Sequence, residues 1–154
     1  MTNVMRILDK LKIPYTALSY EYDEDDLSGV SAAGKLGLPV EQVFKTLVGI
    51  GDKTGHCVFV IPVAEELDLK KCAAASGNKR VELIHVKELL PLTGYIRGGC
   101  SPIGMKKKLK TYLDVSAKAR ERIAVSAGQR GRQVFLAPEA LAGVAEAEYA
   151  ELTR

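Results

Sequence analysis

The sequence predicts an α+β domain, and three observations carry that expectation. Runs rich in Val, Ile and Phe, notably 43–50 and 56–63, have strand character. Short segments with helical spacing or caps separate them without regular βαβ alternation, which argues against a doubly wound parallel sheet. At 154 residues, with no internal repeat, linker or low-complexity tract, the chain 1–154 reads as one domain with a single substantial core.

The elements follow in order. Val4, Ile7, Leu8 and Leu11 recur at helical spacing, and Pro14 ends that segment. Tyr15–Tyr20 reads as a strand with Thr16, Leu18 and Tyr20 on one face. Ser31–Leu36 reads as a short helix closed by Gly37, with a new start at Pro39. The next strand covers Val43–Ile50, and the short polar stretch 51–55 turns it into His56–Val63 as a hairpin. Asp68 is placed to cap a helix running to Ser76, with Gly77 as its stop. Val81–Ile84 reads as a strand, Val86–Leu90 as a short helix and Lys108–Leu113 as another strand. Ser116 is placed to cap Ala117–Arg122. Ile123–Ser126 and Gln133–Leu136 flank the turn 128–132 as a second hairpin, and Pro138 opens a helix to about Leu141.

Within this frame one side chain is out of place. Lys45 stands in the run Val43-Phe44-Lys45-Thr46-Leu47-Val48, where alternation puts it on a face with Val43, Leu47 and Gly49. Burying an ammonium is costly unless it has a partner or lines a wet cavity. A lysine that snorkels past an edge is the competing explanation. A second unusual stretch is Gly98-Gly99-Cys100-Ser101-Pro102-Ile103-Gly104. Glycines let a ligand approach the main chain closely, and such a loop can aim several N–H groups at one oxyanion or phosphate. It lacks the spacing and the Lys-Ser/Thr ending of a nucleotide P-loop, so kinase and NTPase functions are not expected.

Composition narrows the chemistry further. The three cysteines, Cys57, Cys72 and Cys100, are widely spaced, and His56 and His85 are the only histidines. No zinc pattern arises and no Ser/His/Asp set can be assembled, so neither a metal nor another cofactor is expected, and both histidines read as structural. Cys100 in its glycine loop remains a rival nucleophile. No apolar run approaches the ~20 residues needed to span a bilayer. Charges at Arg6, Asp9 and Lys10 replace the apolar core of a signal peptide, so a reduced cytoplasmic protein is expected. Residues 1–68 hold 6 Lys/Arg against 11 Asp/Glu, whereas residues 70–132 hold 15 against 4. Lys106, Lys107 and Lys108 follow directly on the glycine loop, and Arg130 and Arg132 flank Gly131. A solvated lysine face explains the cluster as well as contact with a phosphodiester backbone does, and adjacency to the loop favours the latter.

Together these segments resemble a known family. Lys12-Ile13-Pro14-Tyr15, Tyr20, Ala32-Ala33-Gly34-Lys35-Leu36-Gly37, the Lys45 strand, Leu69-Lys70-Lys71, Thr93-Gly94-Tyr95, the loop 98–104 and Val125-Ser126-Ala127-Gly128-Gln129-Arg130-Gly131 stand in family order over nearly the whole chain. They resemble the free-standing bacterial aminoacyl-tRNA deacylases of the YbaK/EbsC family, relatives of the editing insertion domain of prolyl-tRNA synthetase. Among these the chain is most similar to the Cys-tRNA(Pro) deacylases. The resemblance implies a mixed barrel-like sheet surrounded by short helices, with the site in a crevice. It implies that Lys45 holds the terminal adenosine or its phosphate and that Gly99 and its neighbours offer N–H groups to the aminoacyl carbonyl. Tyr20, Thr46, Gly98, Ser101 and Ser126 are then substrate contacts, with Lys106, Lys107, Lys108 and Arg130 available to tRNA. For a cysteinyl ester the family chemistry has the substrate's own thiol attack its carbonyl, and prolyl-tRNA synthetase is a transient partner. Ser28 stands where relatives often carry an aromatic residue, and Gln133 where some carry an acid. Esters of alanine, serine or threonine therefore remain alternatives, as does a non-catalytic tRNA-binding module.

Overall fold

Two β-sheets meet along one seam, and the helices pack outside them. The computed structural model describes residues 1–154. Its helices are α1 (Asn3–Lys10), α2 (Gly29–Leu36), α3 (Leu69–Ser76), α4 (Val86–Thr93) and α5 (Pro138–Ala145). The strands are β1 (Thr16–Ser19), β2 (Phe44–Gly51), β3 (Gly55–Pro62), β4 (Val81–Leu83), β5 (Lys110–Asp114), β6 (Ile123–Ser126), β7 (Arg132–Leu136) and β8 (Ala147–Ala150). One sheet has the order β1-β7-β6 and is antiparallel. The other has the order β4-β2-β3-β5-β8, with β5 parallel to both β3 and β8. Val43, just before β2, bridges in parallel to Ala124 of β6 and joins the two sheets. The arrangement is α+β and barrel-like, but the barrel is not closed. No helix is long and apolar enough to cross a membrane.

Local chemistry explains the elements. The Thr2 hydroxyl accepts from the Met5 N–H at the start of α1, and Asp68 accepts from Lys70 and Lys71 at the start of α3. Gly37 and Gly77 close α2 and α3 in the left-handed region, as the sequence suggested. Alternation along β2 holds: Phe44 and Val48 enter the main core with Leu8, Ile103 and Leu136, whereas Leu47 packs on the separate cluster around Phe59 and Ile61.

Several boundaries differ from the sequence reading. α2 begins at Gly29 rather than Ser31, because the Ser28 hydroxyl accepts from the Ser31 N–H. α4 continues through Pro91 to Thr93, whose hydroxyl bonds back to Leu89 O. The segment after β5 is a 3₁₀ turn over Val115–Ala119, and its cap is Asp114 instead of Ser116. The buried Asp114 carboxylate also accepts from the Leu152 N–H, tying β5 to the C-terminal segment. α5 runs past Gly143, and β8, which lacks β-branched residues, forms by pairing beside β5.

Candidate active site

The seam creates a crevice because β2 is left partly unpaired. β4 pairs only with Gly49–Gly51, and the bridge to β6 lies at Val43, so the stretch between them faces open space. Val63 N–H bonds to Val43 O, which by alternation directs the main-chain groups of Val43, Lys45 and Leu47 toward β3. The groups of Thr46 and Val48 therefore point the other way, and Val48 O indeed accepts from the Ile84 N–H there. Along this edge lies a cavity of about 410 Å³.

The acidic and basic side chains at the cavity leave it with positive charge alone. Lys45, half-buried, and Arg97 line the cavity, and no carboxylate does. Neither cation makes an ion pair in the chain; the three ion pairs are Lys108–Glu146, Lys110–Glu148 and Arg154–Glu66. Tyr20, Thr46, Gly98 and Ser126 also line it, as do Gln133 and His85. Ser126 sits opposite Gln133 across β6 and β7, and its hydroxyl accepts from the Gly128 N–H. Much of the remaining lining is apolar, including Leu27, Val63, Leu83, Val86 and Leu89. His85, which the sequence presented as structural, is exposed at this wall; no spacing of catalytic residues could have placed it there.

The glycine loop reaches the same cavity, with a redistribution of roles. The Gly99 N–H is already bonded to Ile96 O at 2.9 Å, so it is not an available donor. Gly98 and Cys100 both line the cavity, and their N–H groups bond to no carbonyl. Gly99 instead permits close packing: a Cβ there would lie 3.1 Å from Arg130 N and 3.2 Å from Gln129 C. The Arg130 Nε–H bonds to Arg97 O and locks the loop to the 128–131 turn. Tyr95 O–H donates to Ile103 O from the other side. Ser101 does not reach the cavity. It is fully buried, and its hydroxyl accepts from the Ile103 N–H, which makes it a brace of the loop.

Cys100 lines the cavity but only 9% of its surface is exposed. Burial pushes its thiol up to about 12, against a smaller opposing contact from Thr93. No group of three or more His, Cys, Asp or Glu side chains is gathered in a metal-binding arrangement. Outside the crevice, Lys106 and Lys107 are exposed, whereas Lys108 is paired with Glu146. Arg130 and Arg132 line a shallow concavity that shares Tyr20 with the crevice.

Comparison with known proteins places this geometry. The model of the aminoacyl-tRNA editing domain family matches residues 27–144. That span runs from the crevice wall at Leu27 through Lys45, the glycine loop and Gln133. A protein of Enterococcus faecalis named as a Cys-tRNA(Pro)/Cys-tRNA(Cys) deacylase, EbsC, is 53% identical over 152 residues, 99% of this chain and 93% of the relative. Among solved structures, one described as a trans-editing enzyme for prolyl-tRNA synthetase aligns with a TM-score of 0.83 at 24% identity, covering 100% of this chain and 99% of that one. A hypothetical protein of the same fold aligns at 0.88 with 21% identity, covering 98% and 99%. The chain belongs to the aminoacyl-tRNA editing domain family, as its strand lysine and glycine loop led us to expect.

Proposed function

We propose that this protein removes a mischarged amino acid from tRNA, and that cysteinyl-tRNA(Pro) is its main substrate. The observation that carries the reading is a crevice with two unpaired cations, free loop N–H groups and no carboxylate or activated nucleophile. Such a site binds oxygens and developing negative charge and leaves the attacking group to come from elsewhere. The 53% identical relative named for cysteinyl-tRNA deacylation supports the choice of ester.

An aminoacyl ester is already activated, so positioning and oxyanion stabilisation suffice. Lys45 and Arg97 hold the phosphate and ribose oxygens of the terminal nucleotide at the mouth. The N–H groups of Gly98 and Cys100 receive the carbonyl oxygen as it becomes an oxyanion. The substrate's thiol sulfur attacks the carbonyl carbon, the bond to the ribose oxygen breaks, and the thiol proton ends on that oxygen. The products are tRNA with a free hydroxyl and a four-membered cyclic thioester, which water then opens to cysteine.

The need for such a reaction follows from pocket energetics. A proline pocket gains only about 1–3 kcal/mol against a similar-sized cysteine, so a second site must supply the remaining discrimination. Interception at the synthetase makes prolyl-tRNA synthetase a transient partner. The basic segment from Lys106 to Arg132 guides the tRNA. The decisive experiment charges tRNA(Pro) separately with cysteine, alanine, serine and proline and follows ester loss at two salt concentrations. Cysteinyl ester should disappear fastest, with a rate at limiting substrate that falls with salt. Equal cleavage of alanyl ester would replace the thiol route by a broader deacylase, and binding without cleavage would leave a tRNA-binding module.

A further inference from the structure

The shallow concavity beside the crevice is built from the end of β1 and the turn at 130–132. Tyr22 lies in it 46% exposed, and of six tyrosines and three phenylalanines it alone is exposed. Its ring lies against Gly131: a Cβ at that left-handed glycine would meet Tyr22 Cδ1 at 3.0 Å and Tyr20 O at 2.7 Å. The Tyr20 N–H bonds to Gly131 O at 2.9 Å, and the Lys35 ammonium donates to Glu21 O at 2.8 Å. The backbone leading to the ring is therefore anchored at two successive residues. Arg130 and Arg132 complete the concavity, and neither makes an ion pair, although the exposed Glu21 lines it too. The acids that follow do not line it; Asp23 and Asp26 accept from the N–H groups of Asp25 and Ser28. A lone exposed aromatic is ordinary on a protein surface. An anchored aromatic ring beside two unpaired guanidinium groups is the combination that holds single-stranded nucleic acid, with bases on the ring and phosphates at the cations.

We infer that this concavity holds the nucleotide immediately preceding the terminal adenosine of the substrate, its base stacked on Tyr22 and its phosphate against Arg130 and Arg132. The inference rests on the deacylase reading, which puts the terminal nucleotide at the mouth of the crevice. The strand must leave that mouth in one direction, and the side chains select it. Tyr20 belongs to both depressions. Arg97 lines the crevice and its carbonyl receives the Arg130 Nε–H at 2.9 Å, so the crevice cations continue into those of the concavity. Where the lining is exposed at β4 and the start of α4, it presents Leu83, His85 and Val86, with no lysine or arginine among them. Stacking is tolerant of sequence, because every base has a π-face. The concavity therefore recognises the unpaired 3′ end that tRNAs share, and the choice among tRNAs lies with other contacts.

The test uses tRNA(Pro) carrying a cysteinyl ester, with the base of the penultimate nucleotide either present or replaced by an abasic sugar. Both are acylated chemically, and their ester and phosphates are identical, so the missing base is the only difference. The wild-type protein should favour the intact end by about tenfold in kcat/KM, the worth of one base on an aromatic side chain. Tyr22→Leu, which still covers Gly131 but has no π-face, should bring that ratio near one, and Tyr22→Trp should keep it. The ratio is taken within each variant, so a partly unfolded sample does not change it. Arg132→Gln should lower kcat/KM on both substrates and reduce the slope of log kcat/KM against log salt by about one. A wild-type ratio near one, or an undiminished ratio in Tyr22→Leu, overturns the assignment while leaving the deacylase intact. An unchanged salt slope in Arg132→Gln overturns the phosphate contact. If the wild type cleaves neither ester the deacylase reading fails, and the Kd of uncharged tRNA with the two ends decides the site separately. Equal Kd values remove it, and a tenfold gap that Tyr22→Leu abolishes upholds it.

Discussion

Cys100→Ala separates the two ways in which a thiol can open the ester. The attacking species is the thiolate, and an ordinary cysteine is ionised to a few per cent at neutral pH. Burial holds the Cys100 thiol up near 12, so at pH 7 only about one molecule in 10⁵ carries the thiolate. An ordinary thiol is ahead by roughly 10³, before any advantage of proximity is counted. The cavity cations do not reverse this, because Cys100 packs into the main core with Val48, Tyr95 and Ile103. The substrate's thiol sulfur, by contrast, is covalently attached three bonds from the carbonyl carbon it attacks. Removing the sulfur should therefore leave kcat/KM on Cys-tRNA(Pro) within a few-fold of wild type. It should cost about 1 kcal/mol in stability from the small cavity left behind, a melting shift of roughly 2–4 °C. The assay is single-turnover loss of labelled cysteine, with circular dichroism melting on the same samples. A folded Cys100→Ala protein slower by about 100-fold or more would place the nucleophile in the protein and refute the reasoning.

Lys45 makes no ion pair or side-chain hydrogen bond, so Lys45→Ala should melt within about 0.5 kcal/mol of wild type while deacylation falls by about 100-fold or more. Activity retained in the folded variant would remove Lys45 from the site. Gly99→Ala puts a methyl against the backbone of Gln129 and Arg130, which cannot swing aside like a side chain. It should displace the loop donors and lower kcat more than it raises KM, with a stability loss of about 1–3 kcal/mol; unchanged kcat would separate the loop from catalysis. Alkaline unfolding tests the buried acids. Burial raises Cys72, Cys100 and Tyr95 each to about 12, so the folded state keeps protons that the unfolded chain loses first. Their contribution is full below about pH 9 and disappears as pH rises toward 12, so stability should fall over that window. Urea melts at stepped pH would show it, and a flat stability from pH 9 to 11 would contradict the burial of these groups.

How much was legible in the sequence depends on whether the signal was local. Caps and stops were: Asp68 and Gly77 bound α3 where they were read, and the polar turn at 51–55 does join β2 to β3. Lys45 stood out because it violates the apolar pattern of its own strand, and the structure gives it a cavity. The missed features are those that only pairing creates. Ala147–Ala150 has little intrinsic strand preference, and β8 exists because β5 offers it an edge. The glycine loop was recognisable as a donor loop, but its composition does not say which N–H is spent. Gly99 bonds to Ile96 and its neighbours are free, a fact of turn geometry. Ser101 looked like a contact from its place beside those glycines, whereas its hydroxyl turns inward to Ile103.

The location of the site follows from topology in a way that no single motif does. A central strand leaves no polar edge when both neighbours pair along its whole length. Here β4 is three residues long and the link to β6 is one bridge, so Thr46 sits on an uncovered edge inside the protein. Exposed strand edges are a liability that proteins usually block with charge or cover with other elements. This chain does both: Lys45 breaks the apolar run beside the edge, while α4 and the glycine loop wall the space in front of it. The main-chain edge at Thr46 is therefore left without a paired strand beside the crevice. The glycine loop and the strands that line the crevice come from different parts of the chain, and the bridge between Val43 and Ala124 joins the two sheets beside it. A substitution that lengthened β4 pairing along β2 would be expected to stabilise the sheet and close the site, because the edge cannot both complete a ladder and receive a ligand.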